Sequence, residues 1–109
     1  MAWGQTIFDG TKVLRGGGEW YEEVYIPWAG TANVTAAGTA GFYIGVYPRG
    51  QFDEIKKANP LRFPFLLGGA RLSHFVRFTV TPGSYVLVVR VTSWAPNGGE
   101  VRVQVQLGP

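Results

Sequence analysis

The residues that could do chemistry in this chain stand next to one another in pairs. Ser73 and His74 would supply a nucleophile and a base for acyl transfer. Glu22 and Glu23 would supply the two carboxylates that glycoside hydrolysis needs. Successive side chains of a β-strand point to opposite faces, so neither pair could act on one substrate from a strand. We therefore predict no catalytic residues and expect that the protein is not an enzyme.

Metal and cofactor chemistry lack their usual residue patterns. The chain has no cysteine, so no thiolate metal site can form. Asp53 and Glu54 could contact a calcium ion, but no loop around them supplies the run of oxygen ligands that such a site needs. No glycine-rich stretch has the spacing of a phosphate-binding loop. We expect no metal and no cofactor.

The elements that must position any binding residue are clearest from Leu72 to Leu107, where three apolar segments follow one another. Alternation with a period of two predicts three strands. The second segment, residues 84–94, is apolar on both faces, which favours a central position in a sheet. The predicted inward residues are Leu72, His74, Val76, Phe78 and Val80 in the first segment and Val101, Val103, Val105 and Leu107 in the third. The second segment has Tyr85, Leu87, Val89 and Val91 on one face and Val86, Val88, Arg90 and Trp94 on the other.

Turn residues separate these segments. Residues 95–99 contain Asn-Gly, a strong hairpin signal, and predict an antiparallel hairpin between the second and third strands. Pro82-Gly83 suits a type I or II turn, which indicates a crossing from one sheet to another.

The first half of the chain also predicts strands, with one short helix. Asp53 could cap a helix over residues 53–58, and Pro27 should end a strand or lie at an edge of the sheet. The fold class predicted is all-β, a two-layer antiparallel β-sandwich of jelly-roll-like type in a single domain, residues 1–109; an open oligonucleotide-binding barrel is the second choice. The remaining predicted segments are strands over 3–8, 12–14, 20–28, 31–37 and 42–47, a turn at Asp9-Gly10 and a loop at 16–18.

Residues 76–89, VRFTVTPGSYVLVV, form a strand, a Pro-Gly turn and a Tyr-x-Leu-x-Val strand. This segment resembles the bacterial pre-peptidase C-terminal domains and similar jelly-roll-like sandwiches. The resemblance implies a noncatalytic sandwich that is appended to other proteins or assembled with them. Those domains normally follow an exported enzyme. Residues 52–67 of this chain match nothing in the sequence pattern of those domains.

An apolar arm is predicted at residues 61–67, where Pro64 indicates an edge strand or an extended segment. The arm could close the end of the core, or it could dock on a partner as exposed apolar patches do. The candidate interface residues are Leu61, Phe63, Phe65, Leu66 and Leu67.

Aromatic side chains offer a second kind of site. Trp94, Tyr21 and Tyr25 could stack on sugar rings, although core packing is the commoner role of such residues. Arg77 and Arg102 could lie on the polar faces of neighbouring strands with Phe75 beside them, the mixture that a nucleic-acid-binding sheet would use. The ten basic residues are otherwise dispersed, and this disfavours a nucleic-acid partner.

Composition sets the remaining expectations. Only 16% of residues are charged, so part of the surface should be covered by something else. No apolar run approaches the roughly 20 residues of a membrane helix, so we expect no membrane insertion. No signal peptide is visible, and a virion or cell-surface assembly is favoured as the location.

These patterns predict a noncatalytic structural or interaction module that assembles into a larger homomeric or surface structure, such as a virion or appendage component. The expected partner is then another copy of the chain or a larger protein assembly. The alternative function is a carbohydrate-binding module with a polysaccharide ligand, and a nucleic-acid-binding β-domain is the third choice.

Overall fold

The computed structural model describes residues 4–61, 67–95 and 97–109, with side chains of the fourth strand described from Arg71 onward. Its elements in chain order are β1 (Gln5–Leu14), β2 (Glu19–Ile26), β3 (Gly30–Pro48), α1 (Arg49–Ala58), β4 (Leu67–Val80), β5 (Gly83–Val91) and β6 (Gly99–Gly108).

The long strand β3 belongs to both layers of the sandwich. Its first half, residues 30–38, pairs with β6, and its second half, residues 42–48, pairs with β5. The pairing of β3 with β4 is irregular between Ala37 and Phe42, and such an irregularity bends a strand. The front layer therefore consists of β1, β6, the first half of β3 and most of β4, and the back layer of the second half of β3, β5 and β2. The predicted two-layer antiparallel β-sandwich with one short helix is confirmed.

The core lies between the layers and follows the predicted alternation. All four inward residues of the third predicted strand are buried in β6. β5 is buried on both faces because its inner face packs against the front layer and α1 covers its outer side. There Phe52 and Ile55 of α1 pack against Val86 and Val88. β2 ends at Ile26, directly before Pro27, as predicted.

Two predicted interruptions are wrong. Asp9 and Gly10 do not form a turn, because they pair with Gln104 and Val103 inside the continuous strand β1. Residues 31–37 and 42–47 belong to one strand rather than two. The chain passes from the front layer to the back layer by bending β3 instead of breaking it, so the strand pairing continues on both sides of the bend.

The predicted hairpin at residues 95–99 is also wrong. β5 pairs with β2 and β3, whereas β6 pairs with β1 and β3, so this connection crosses from the back layer to the front layer. Gly98 has φ +69° and lies against the backbone of Leu14, which pairs with the next residue, Gly99, within the front layer. The predicted crossing at Pro82-Gly83 is confirmed, because β4 lies mainly in the front layer and β5 in the back layer.

The helix α1 begins at Arg49, four residues before the predicted start. Pro48 occupies the N-cap position, and Asp53 accepts a hydrogen bond from Nε of Arg49 one turn earlier (3.1 Å) rather than capping the helix. The helix has ten residues, and no helix in the described part of the chain has the length and apolar character required to cross a membrane.

The predicted apolar arm is described only at its two ends. Leu61 is 95% exposed, and Leu67 is the first residue of β4. Phe63, Phe65 and Leu66 lie outside the described residues. The arm therefore stays a prediction, both as a core segment and as an interface.

Candidate functional site

The outer face of the front layer has no described element packed over it, whereas α1 packs on the back layer. Residues directly opposite one another on paired strands share a face. On β3 the outward residues are small or short, and on β4 and β6 they are longer, so a shallow trough runs along β3. We define this trough by its floor, Thr31, Asn33, Thr35 and Ala37, and by two walls, Phe75 and Arg77 on β4 and Arg102, Gln104 and Gln106 on β6.

The dimensions of the trough follow from sheet geometry. Neighbouring strands lie about 4.8 Å apart, so the two walls are separated by roughly 10 Å. The floor runs from Thr31 to Ala37, which at about 3.3 Å per residue gives a length of roughly 20 Å. A trough with these proportions can hold an extended chain one ring wide.

Among the residues that the structure describes, Phe75 is the one aromatic residue of this face, and 63% of it is exposed. The guanidinium carbon of Arg77 lies 6.0 Å from the centre of the Phe75 ring. Nε of Arg77 donates a 2.8 Å hydrogen bond to Oδ1 of the buried Asn33, which holds Arg77 in place. The exposed Phe75 ring on a polar sheet face, next to an oriented guanidinium group, makes this face the candidate site.

The opposite wall carries a connected polar group. Arg102 donates to both oxygens of Asp9, from Nε at 3.2 Å and from Nη2 at 3.0 Å. Nε2 of Gln104 donates to Oδ2 of Asp9 at 3.1 Å. The hydrogen bond from Arg102 is the main cause that lowers the pKa of Asp9, followed by the bond from Gln104. The carboxylate, the guanidinium group and the amide therefore orient one another.

The three predicted stacking residues are not brought together. Trp94 is 73% exposed in the connection after β5, and Tyr25 is 64% exposed opposite Ser84 at the other end of β5. Tyr21 lies under α1, where the ammonium group of Lys56 is 4.6 Å from its ring centre and Phe52 touches its ring edge. All three lie outside the trough, and their role in stacking stays a prediction.

The trough residues Phe75, Arg77 and Arg102 were visible in the sequence as a mixed basic and aromatic set. The sequence placed the two arginines on neighbouring strands, whereas β3 lies between β4 and β6. The signal for the site was a phenylalanine among the polar outward residues of its strand, Ser73, Arg77 and Thr79.

The paired chemical residues are separated as the strand pattern predicts. Ser73 is exposed, while His74 points between the layers and its Nε2 donates to the carbonyl oxygen of Phe42 (2.7 Å). Glu22 accepts a hydrogen bond from Nε1 of Trp20 (3.3 Å), and Glu23 pairs with Arg49 of α1. Within residues 4–61, 67–95 and 97–109, no group of three His, Asp or Glu side chains is arranged to hold a metal ion.

Comparison with known proteins gives a fold and no family. No protein-family profile matches the sequence, and no curated protein sequence matches it. The chain is similar in structure to the pre-peptidase C-terminal domain of collagenase from Bacillus anthracis, with 12% identity over 95% of this chain and 90% of that chain and a TM-score of 0.59. The chain has the β-sandwich fold. The similarity expected from residues 76–89 is thus confirmed for the fold.

A second solved structure, a carbohydrate-binding module from Cellvibrio mixtus lichenase 5A in complex with cellotriose, is 9% identical over 96% of this chain and 91% of that chain, with a TM-score of 0.41.

The back layer holds a separate ion pair that should make stability depend on pH. Nη2 of Arg90 lies 2.8 Å from Oε2 of Glu19, and both side chains are largely buried. Burial raises the pKa of Glu19, but the hydrogen bonds from Tyr21 (2.6 Å) and Arg90 (2.9 Å) outweigh it, and the pKa is lowered overall. A lowered folded-state pKa stabilises the fold above the ordinary glutamate value of 4.5, and this stabilisation is lost as the pH falls through the folded-state value.

We therefore expect Glu19→Gln to lower the free energy of unfolding at pH 7 and to change it much less at pH 3. Urea denaturation at the two pH values measures this difference. Glu100→Gln is the control, since Glu100 is exposed on β6. An equal loss at both pH values would show that Glu19 acts through packing rather than through its charge.

Proposed function

We propose that this chain is a noncatalytic β-sandwich module that binds a polysaccharide along the trough of its front layer. The observation that carries the proposal is the exposed ring of Phe75 at the edge of a polar floor, with oriented hydrogen-bonding groups on both walls.

The chemistry of a sugar chain fits these groups. A pyranose ring presents an apolar C–H face, which stacks on an aromatic ring such as that of Phe75. Its hydroxyl groups both donate and accept, and they can bind the guanidinium, amide and carboxylate groups of Arg102, Gln104 and Asp9. Because these three side chains already hold one another by hydrogen bonds, little conformational entropy is lost when a ligand binds.

The trough suits a sugar chain better than a nucleic acid. Arg102 is bound to Asp9 at 3.0 Å, so a phosphate group would have to displace a carboxylate or approach it closely. Affinity for a phosphate backbone comes from several basic side chains acting together, and the described walls contain two arginines. The sequence-based prediction of a virion or appendage component has no support in the fold or in the comparisons.

Phe75→Ala is expected to weaken polysaccharide binding by roughly tenfold or more, since it removes the stacking face. The assay is affinity electrophoresis in gels containing soluble glucans, xylans or mannans, with pull-down on cellulose and chitin for insoluble chains. The wild-type protein should be retarded by at least one of these polymers.

Trp94→Ala is the matched control, because it also removes an exposed aromatic side chain but lies outside the trough. It should leave the binding unchanged. Retardation that survives Phe75→Ala and disappears in Trp94→Ala would move the site to the connection after β5. A wild-type protein that binds none of these polymers would contradict the proposed function.

A further inference from the structure

The sandwich has three strands that end a layer in the described residues, β1, β2 and β4. The free edge of such a strand presents unpaired N–H and C=O groups to any other strand that approaches. Natural β-proteins protect these edges, commonly with a charged side chain on the inward face of the strand. The three edges of this protein differ in that protection.

Two of the edges carry an inward charge. Lys12 of β1 pairs with the fully buried Val101, so Lys12 belongs to the inward face of its strand. Glu22 of β2 pairs with Leu87, also fully buried, and lies on the inward face in the same way. If a second strand paired with either edge, its own inward residues would lie next to the charge of Lys12 or Glu22.

In β4 the charge that pairs with a buried residue is Arg71, opposite Phe42, and it lies outside the stretch from residue 72 to residue 80, whose inward residues include no Lys, Arg, Asp or Glu. Its inward residues there are His74, Val76, Phe78 and Val80, as their pairing with β3 shows, and Leu72 by alternation along the strand. Leu72 is 60% exposed, although it belongs to this apolar set. β4 is also longer than the other two edge strands and pairs with β3 alone in the described part of the chain.

We propose that β4 is a dimerisation edge and pairs in antiparallel fashion with β4 of a second copy. The two-fold axis passes through Val76, so the numbers of two paired residues add up to 152. In this register Phe75 lies opposite Arg77 of the second copy, and the same contact is made twice. Each contact places a guanidinium group beside an aromatic ring, the interaction that Arg77 and Phe75 already make within one chain at 6.0 Å.

Charge complementarity selects this register. An axis through His74 would place Arg71 opposite Arg77 of the second copy, and directly opposed like charges destabilise a strand pair. An axis through Phe75 would place the two phenylalanines opposite each other and leave each Arg77 opposite a serine. Only the axis through Val76 places Arg77 opposite an aromatic residue, and Arg71 then has no charged residue opposite it.

The dimer would join two four-stranded front layers into one continuous sheet. The trough of each copy would lie on the same face of that sheet, with the wall formed by β4 next to the two-fold axis. A long polysaccharide could then contact both copies, so dimerisation would add avidity to the proposed binding. The dimer itself does not depend on the identity of the ligand.

Sedimentation equilibrium over a wide range of protein concentration tests the proposal. The average mass should rise from the 11.9 kDa of one chain towards twice that value. Ser73 and Thr79 lie opposite each other in the proposed register, and both are exposed. Ser73→Lys with Thr79→Lys puts two like charges together at two places, and it should weaken the dimer by roughly tenfold or more.

The matched double variant, Ser73→Lys with Thr79→Glu, puts opposite charges at the same two places and should restore the wild-type dimer or strengthen it. A wild-type protein that stays monomeric at every concentration would overturn the proposal. A dimer that the Lys–Lys variant leaves intact would overturn the interface, and one that both double variants weaken equally would overturn the register.

Discussion

Phe42→Ala is expected to lower the free energy of unfolding by about 3–5 kcal/mol, the range found when a buried phenylalanine is truncated. Phe42 is fully buried and lies at the bend of β3, where it pairs with Val91 of β5 and with Arg71 of β4. Its ring meets His74 edge to face, with the ring centres 4.8 Å apart. The cavity left by alanine would therefore remove packing from both layers at once. Urea denaturation at pH 7 measures the loss.

Phe75→Ala is the matched control for this loss, because it removes the same side chain from an exposed position on the paired strand β4. Its effect on the free energy of unfolding should stay within about 0.5 kcal/mol. If the two variants lost the same stability, the bend of β3 would not be part of the core. The comparison also shows that any loss of polysaccharide binding in Phe75→Ala is not a loss of folding.

The parts of this fold that the sequence predicted depend on local alternation. The inward residues of β6 are buried as expected, because an apolar residue at every second position specifies one face of a strand. The burial of β5 on both faces was also visible in its sequence. What covers its outer face was not, since α1 was predicted to be short and its packing on Val86 and Val88 is a non-local contact.

The errors share one physical cause. Whether two consecutive strands pair or lie in different layers depends on which other strands are available, and this information is not in the turn between them. Asn97-Gly98 predicts a hairpin by its φ preferences, yet the same positive φ serves a crossing connection equally well. Asp9-Gly10 similarly suits a turn. A glycine also suits position 10 within β1, because a side chain there would collide with the ring of Phe8.

The candidate site was predicted only in part, because alternation shows which face of a strand a residue lies on but not which strands are neighbours. An exposed phenylalanine on the polar face of a predicted strand could be recognised from alternation alone. The trough needs the order β4, β3, β6, which only the tertiary structure provides. Tyr21 shows a further limit of alternation: its side chain is exposed, but the ammonium group of Lys56, a non-local neighbour, lies 4.6 Å from its ring centre.

Gly98→Ala is expected to destabilise the protein by about 2–4 kcal/mol, since it adds a left-handed backbone strain to a steric clash. Gly98 has φ +69°, and a Cβ atom there would lie 1.9 Å from the carbonyl oxygen of Leu14 and 2.6 Å from Cα of Arg15. Both neighbours are backbone atoms at the end of β1, so they cannot rotate away as a side chain could. A thermal scan should show a melting temperature lower by roughly 10–20 °C.

Gly50→Ala is the control that separates this clash from a general effect of replacing glycine. Gly50 lies in α1 with open space around its Cα, and alanine should raise the stability there by about 0.5–1 kcal/mol because it favours the helix. A loss of about 1 kcal/mol or less in Gly98→Ala would be no more than the cost of positive φ alone, with nothing left for a steric clash. Gly98 would then not be packed against the backbone of Leu14.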